Sequence, residues 1–379
     1  MKNELTFARR GALILEIAVA VAVILMLLFP VGRSFELIEG EITQKFLPGT
    51  VLSVDSEEIS DSVFAKGQKV GQQELTVRLF GGREITVYNY ITDTHNIVAK
   101  VGSRIIICAD EPGGDIEPYY TVYSYNRLFP VVLLVIMFAA LMVAVGKRKG
   151  VDAFLAILFS LVFILNVSLP LLHNGVPAIP VGLVTVLVAT AVTILLIHGV
   201  TKQCLYAVCT TLMGELAACL IFALFAELLH ISGFQSDDAE TLLLVTRRTG
   251  LDVYHLLIAG MMISSLGAVM DVAVSILSSL REISLAMEKP TKGDLFKSGM
   301  NIGKDLIGTM ANTLIFAFVG GSIAAMLVFY SYGVQPMQLL NSNYLALELS
   351  QGICSTMAVI LTVPFAAAVG AAVFARVKR

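Results

Sequence analysis

Long apolar runs alternate with short polar stretches along most of this chain, and one early segment alternates residue by residue instead. Eight runs stand out: Gly11–Pro30, Leu128–Val145, Val151–Leu169, Ile179–Ile197, Cys204–Ile231, Tyr254–Leu280, Leu306–Tyr332 and Cys354–Ala375. Each is about 18 residues or longer, enough for a helix across a hydrocarbon core ~30 Å thick. The fifth, sixth and seventh exceed that length and are expected to tilt or project. The fold class expected is a mostly α polytopic membrane protein with eight transmembrane helices.

Residues 33–127 break the pattern. Short alternating runs at Thr50–Val54, Glu74–Phe80, Glu84–Tyr88 and Arg104–Ala109 predict strands, and Gly81-Gly82 predicts a hairpin between the second and third. Val51, Leu75, Val77, Leu79, Ile85, Val87, Ile105 and Ile107 form the expected core. The reading is a small β-barrel-like domain of SH3 or OB type inserted after the first helix. It divides the chain into an anchor at 1–32, the β domain at 33–127 and a seven-helix domain at 128–379. A fragment spanning 40–118 is expected to give a β-type circular dichroism spectrum and a cooperative melt.

Basic residues order these elements. Lys2, Arg9 and Arg10 precede the first run, and Lys147, Arg148 and Lys149 join the second to the third. Lys202 separates the fourth and fifth. Arg281, Lys289, Lys292, Lys297 and Lys304 separate the sixth and seventh, and Arg376, Lys378 and Arg379 end the chain. With eight spans all of these fall on one side, which the positive-inside rule makes cytoplasmic. Both termini are then cytoplasmic and the β domain lies on the outer face. The first run is apolar as far as Phe29, longer than a signal-peptide core, and no A-x-A site follows it, so it reads as a retained anchor.

Composition agrees with a bilayer environment and narrows the chemistry. Of 379 residues 56% are hydrophobic and only 15% charged, against about 25% charged in a soluble domain. No basic footprint for nucleic acid is present, and the acidic β domain argues against one. Four of five cysteines lie in apolar runs without CxxC spacing, so neither a disulfide framework nor structural zinc is expected. His95, in the polar stretch Asp93–Asn96, reads as part of a solvated loop rather than a metal ligand. No Walker A, HExxH or GxSxG sequence occurs. The expectation is no enzyme, no cofactor and no metal.

Polar residues inside the last runs carry the functional argument. Ser264, Gly267 or Ala268, Asp271, Ser275 and Ser278 recur every three to four residues, which places them on one helical face. Asn301, Asp305, Gly308 or Thr309, and Asn312 do the same, as do Glu348, Gln351 or Gly352, Ser355 and Thr362. Pro364 can kink the last helix. At 1.5 Å per residue Asp271 lies ~15 Å from Arg281, and Asn312 ~12 Å from Lys304, so the two are expected to share a depth, with Asp305 nearer the surface. Glu215 lies ~20 Å from Lys202. Small and hydroxyl residues also serve plain helix packing, and Asp305 beside Lys304 also suits an interfacial position. A carboxylate as deep as Asp271 usually faces a protein interior or a wet path.

The passage GAVMDVAVSILSSLREI, followed by SGMNIGKDLIGTMANTLIFAFVGG, resembles the C-terminal signature of YibE/F-like bacterial membrane proteins. One N-terminal span, an outer β domain beginning PGTVLSV and seven further spans complete the resemblance. It implies a protein of a bacterial cytoplasmic membrane, of Firmicute-type lineage, and names no activity. Asp271, Arg281-Glu282 and Thr309–Asn312 are also similar in arrangement to SecD/SecF and resistance-nodulation-division transporters. That similarity implies proton coupling to work outside the membrane; the chain departs from it in its extra spans and single small outer domain.

The resulting expectation is a transporter or transport-like protein, proton- or cation-coupled, with a polar core in spans six to eight. Asp271, Asp305, Asn312, Glu215, Asn301 and Glu348 are the candidate path residues. The alternatives are a scaffold or subunit of an envelope complex that binds a protein partner through residues 33–127, and, with least support, a membrane-embedded enzyme. The lipid bilayer and a second copy of the chain are the other partners considered.

Overall fold

The computed structural model describes residues 2–28, 44–110, 118–234 and 239–375. It divides into two compact units, one made of residues 36–141 and the other of 1–35 with 142–379.

In the first unit, five strands close a barrel in the order β1-β2-β3-β5-β4. They are β1 (Gln44–Asp61), β2 (Lys69–Leu79), β3 (Glu84–Ile91), β4 (Arg104–Asp110) and β5 (Tyr119–Tyr125). β1 is long enough to serve both edges. Its first half pairs with β4, Gln44 opposite Asp110, and its second half with β2 as far as Asp61 opposite Lys69. Irregularities after Val51 and Val54 bend it between those tasks, as bulges do in barrels. The Gly81-Gly82 hairpin is present: Arg78 pairs with Glu84, and Gly82 takes φ 83°, a conformation glycine adopts without strain.

Alternation buries one side of each strand. Seven of the eight expected core residues are buried, and Leu79 packs partly buried at the rim. Two parts were not expected. β5 closes the barrel by pairing antiparallel with β4 and, at Tyr88 and Thr121, parallel with β3. A polar tie also crosses the core: Asn89 Nδ2 donates to Gln73 Oε1 (2.8 Å) and to the Ile97 carbonyl (2.7 Å), and Gln73 Nε2 donates to the Ala99 carbonyl (3.0 Å). It substitutes for strand pairing along the irregular segment 92–103, whose carbonyls would otherwise lie buried without donors.

The second unit is helical. Its elements are α1 (Lys2–Leu28), the C-terminal part of α2 (Leu128–Phe163), a π-helical turn at Ile164–Ser168 and α3 (Leu169–His173). Then come α4 (Ala178–His198), α5 (Lys202–Leu228), α6 (Ala239–Thr249), α7 (Val253–Ala286), α8 (Lys292–Ser331), α9 (Pro336–Leu340) and α10 (Asn343–Phe374). Among the described residues, six helices are long and apolar enough to cross a membrane.

The eight expected runs correspond to these helices with several differences. The second and third are two helices that meet at the non-helical backbone of Lys147 (φ 52°, ψ −128°), where the basic stretch Lys147–Lys149 marked a break. α1 is one helix, with Leu13–Leu28 as its apolar part among the described residues. α8 begins at Lys292, well before the expected Leu306, so Asn301 and Asp305 sit inside a continuous helix. α10 likewise begins at Asn343 rather than Cys354 and carries Pro364 within it. The amphipathic α6 lies where only a loop was expected.

Helix α10 is the centre of the packing: half of its most apolar window is buried, against 6% for α8. Its small residues Ala358, Ala366, Ala367, Gly370 and Ala371 let neighbours approach closely. Gly303 of α8 seats against Val363, and Gly214 of α5 against Thr362. Met261, Val269, Ile276 and Leu280 of α7 complete this core.

Candidate functional site

The candidate path residues separate into three places. Glu215 lies fully buried on α5, where Ser265 Oγ of α7 sits 3.0 and 2.8 Å from its two carboxylate oxygens. One hydroxyl has one proton, so it serves one oxygen at a time. Next to it on α5, Gly214 leaves room for Thr362: a Cβ there would fall 2.0 Å from Thr362 Oγ1. Glu215 is thus sealed between α5, α7 and α10.

Glu348 is half-buried near the start of α10 and accepts from Ser322 Oγ of α8 (3.2 Å). It ties α8 to α10 far along the bundle from Glu215.

Asp271, Asp305, Asn301 and Asn312 share a third setting. All four are exposed, and among the described residues none makes a side-chain hydrogen bond or ion pair. The periodic face expected on α7 is real: Ser264, Gly267, Asp271 and Ser275 are all exposed, while Ser265, Val269, Val272 and Ile276 point inward. The expectation of an interior polar core shared by all these residues therefore needs correction. Glu215 is interior, whereas the α7 and α8 stripes face outward.

Contacts with α10 give the levels of the two stripes. α7 runs parallel to α10, since Ser264 Oγ lies 3.1 Å from Ser355 Oγ and Ser284 donates to the Phe374 carbonyl (2.9 Å). The same offset carries Asp271 to Thr362. α8 runs antiparallel, with Gly303 against Val363 and Phe318 against Gly352. That register carries Thr362 to Lys304 and Asp305. Asp271 and Asp305 are therefore level to within about a residue, ~1.5 Å of rise. Ser275 is likewise level with Asn301, and Ser264 with Asn312. The expected match of Asp271 with Asn312 is displaced by two helical turns, because α8 starts earlier than the apolar run that marked it.

Other polar residues have local partners. Glu16 accepts from Arg148 (2.6 Å) in an ion pair between α1 and the part of α2 beyond Lys147. His95 Nε2 lies 3.2 Å from the Val122 carbonyl, which fixes its loop against β5. No group of three His, Cys, Asp or Glu among the described residues is placed to hold a metal. Cys108, Cys204, Cys209, Cys219 and Cys354 are free thiols.

Six long apolar helices with charged residues set into them, joined to a small β barrel, define a multi-pass helical membrane protein. The family model described as YibE/F-like protein matches residues 134–376, and the chain belongs to that family. No curated protein and no solved structure matches it.

Proposed function

We propose that this chain is a transport-like protein of a bacterial cytoplasmic membrane in which a proton or cation moves along the outward polar strip of α7 and α8. The observation that carries the reading is the level pair Asp271 and Asp305, exposed and unpartnered on helices long enough to span a bilayer. A carboxylate at the centre of a bilayer costs about 2.5–3.5 kcal/mol on insertion scales, and more in simulation. Such a strip calls for water or another polypeptide against it. Asp271 is the protonatable or cation-binding group, and Asp305 is its counterpart across the strip. Asn301 and Asn312 line it at the neighbouring levels, with Ser275 and Ser264 beside them. A second copy of the chain completes the enclosure. Glu215, sealed from this strip, sets helix packing, and Glu348 holds α8 to α10. The reading takes the chain as eight spans with no enzymatic activity, both termini in the cytoplasm and residues 281–304 on the cytoplasmic side.

The full chain in proteoliposomes should show protonophore-sensitive proton movement that Asp271→Asn and Asp305→Asn each abolish. Wild-type flux in both variants would end the reading. Cysteine labelling from outside should reach residues 44–125 and miss 281–304; the reverse pattern would overturn the orientation.

A second reading, a subunit of an envelope complex, draws on the barrel. Its strand order with a parallel β3–β5 contact is that of an OB-type barrel, an architecture that binds extended ligands. Phe46, Tyr88, Tyr90, Tyr119 and Tyr123 are all exposed on it. Its test is whether loss of those aromatics releases a specific envelope protein while flux persists.

A further inference from the structure

The end of the bundle where α4 gives way to α5 holds a cavity of about 420 Å³ between α5, α7 and α10. Lys202 and Arg281 enter it from two helices, with the hydroxyls of Tyr206 and Ser284, and Leu285 and Phe374 line its apolar side. No carboxylate of the described residues lines this cavity. Neither cation has a carboxylate partner among the described residues. Two like charges brought to one cavity repel unless an anion lies between them.

Arg281 is also held in place. Its Nη1 donates to Gln203 Oε1 (3.1 Å), and Gln203 Nε2 in turn donates to Ser278 Oγ (2.9 Å). That relay uses one of five guanidinium donors and orients the rest. A fork fixed in this way matches the paired oxygens of a phosphate. The geometry points to a binding site for a phosphate-bearing anion, gripped by Arg281 and Lys202 and steadied by Gln203. The apolar wall of Leu285 and Phe374 suits a ligand whose remainder is hydrophobic. Basic pockets between membrane helices hold anionic lipid headgroups in this way. Phosphatidylglycerol and inorganic phosphate represent the two sources of the same chemistry. The site does not include the level pair Asp271 and Asp305, because Asp271 lies ~15 Å along α7 from Arg281.

The full-length chain would be placed in phosphatidylcholine nanodiscs, with or without phosphatidylglycerol, and melted. Phosphatidylglycerol should raise the melting temperature of wild type and of Lys297→Gln, which lies outside the cavity. The Lys202→Gln, Arg281→Gln double variant should melt like wild type in phosphatidylcholine and lose that rise. Its binding should weaken roughly tenfold or more, as expected on losing a charged hydrogen bond. Inorganic phosphate added to phosphatidylcholine discs is the second arm. A rise with phosphate alone assigns a soluble anion, and a rise with phosphatidylglycerol alone assigns a lipid. If the double variant is itself unstable, Arg281→Lys keeps the charge, loses the fork and should show a reduced rise. No rise in wild type with either additive, an equal rise in the double variant, or an equal loss in Lys297→Gln would overturn the site.

Discussion

Gly303 fixes the level of α8 through Val363: a Cβ on Gly303 would lie 2.1 Å from Val363 Cγ1, closer than any real contact. Gly303→Ala should therefore push α8 off α10 and cost about 1–3 kcal/mol, the usual penalty of overpacking. Val363→Ala removes the obstructing methyls and should rescue Gly303→Ala when the two are combined. A double-mutant cycle on melting temperature measures the coupling. Additive losses would mean the helices are not registered by this contact.

Barrel closure depends on β5. A 40–118 fragment holds four strands and leaves β4 without its Tyr119–Tyr125 partner. A fragment of residues 44–127 should give a β-type circular dichroism spectrum and a cooperative melt. The 40–118 fragment should melt without cooperativity or fail to fold. Equal cooperativity in both would show that β5 is dispensable.

Asp271 and Glu215 should respond in opposite ways to substitution. Asp271 has no partner among the described residues, so Asp271→Asn and Asp271→Leu should leave the stability of the purified chain within about 0.5 kcal/mol of wild type. Function should be lost in both. Glu215→Gln fits the same buried space and keeps an acceptor for Ser265, so it should be tolerated. Glu215→Ala empties that space and should cost about 2 kcal/mol or more. A destabilised Asp271→Leu would mean that its carboxylate has a structural partner.

The barrel carries a pH signal. Tyr119 Oη lies 2.7 Å from Tyr90 Oη, and its ring stacks on Tyr88. The Tyr90 hydrogen bond, burial and the neighbouring tyrosines push the Tyr119 hydroxyl up to about 12. A folded pKa above the ordinary value of about 10 stabilises the fold below pH 10 and loses that contribution as pH rises toward 12. Tyrosinate absorbance of the barrel should show a late step that Tyr119→Phe removes. A single ordinary step in wild type would contradict the assignment.

Much of this architecture was legible in the residue pattern, because burial imposes a period. Alternation marked four strands and their core, and the stripes on α7 and α8 were assigned to one face each. What escaped had no such period. β5 reads YYTVYSY, where tyrosine serves both the buried and the exposed side, so alternation is invisible. The start of α8 is polar from Lys292 to Asp305 and resembles a loop, yet Thr291 caps it through Asp294 N–H (3.2 Å) and the helix begins there. That cap shifted every level on α8. Whether a polar stripe faces inward or outward also lies beyond one sequence, since both directions give the same spacing. The inward side of α7 is set by α4, α5 and α10, whose positions depend on the whole bundle.

The two halves of β1 have a temporal consequence. The strand that opens the barrel is translated first, and the strand that locks it, β5, is translated last. Only Asn126 and Arg127 separate β5 from the apolar helix that starts at Leu128. Pairing Gln44 with Asp110 spans most of the domain, a high-contact-order closure that forms slowly. The ribosome would be delivering that helix to the insertion machinery while the barrel is still an open, sticky sheet. Nascent chains should therefore depend on a holding factor during that interval, and slowing elongation just after residue 127 should raise the yield of folded protein.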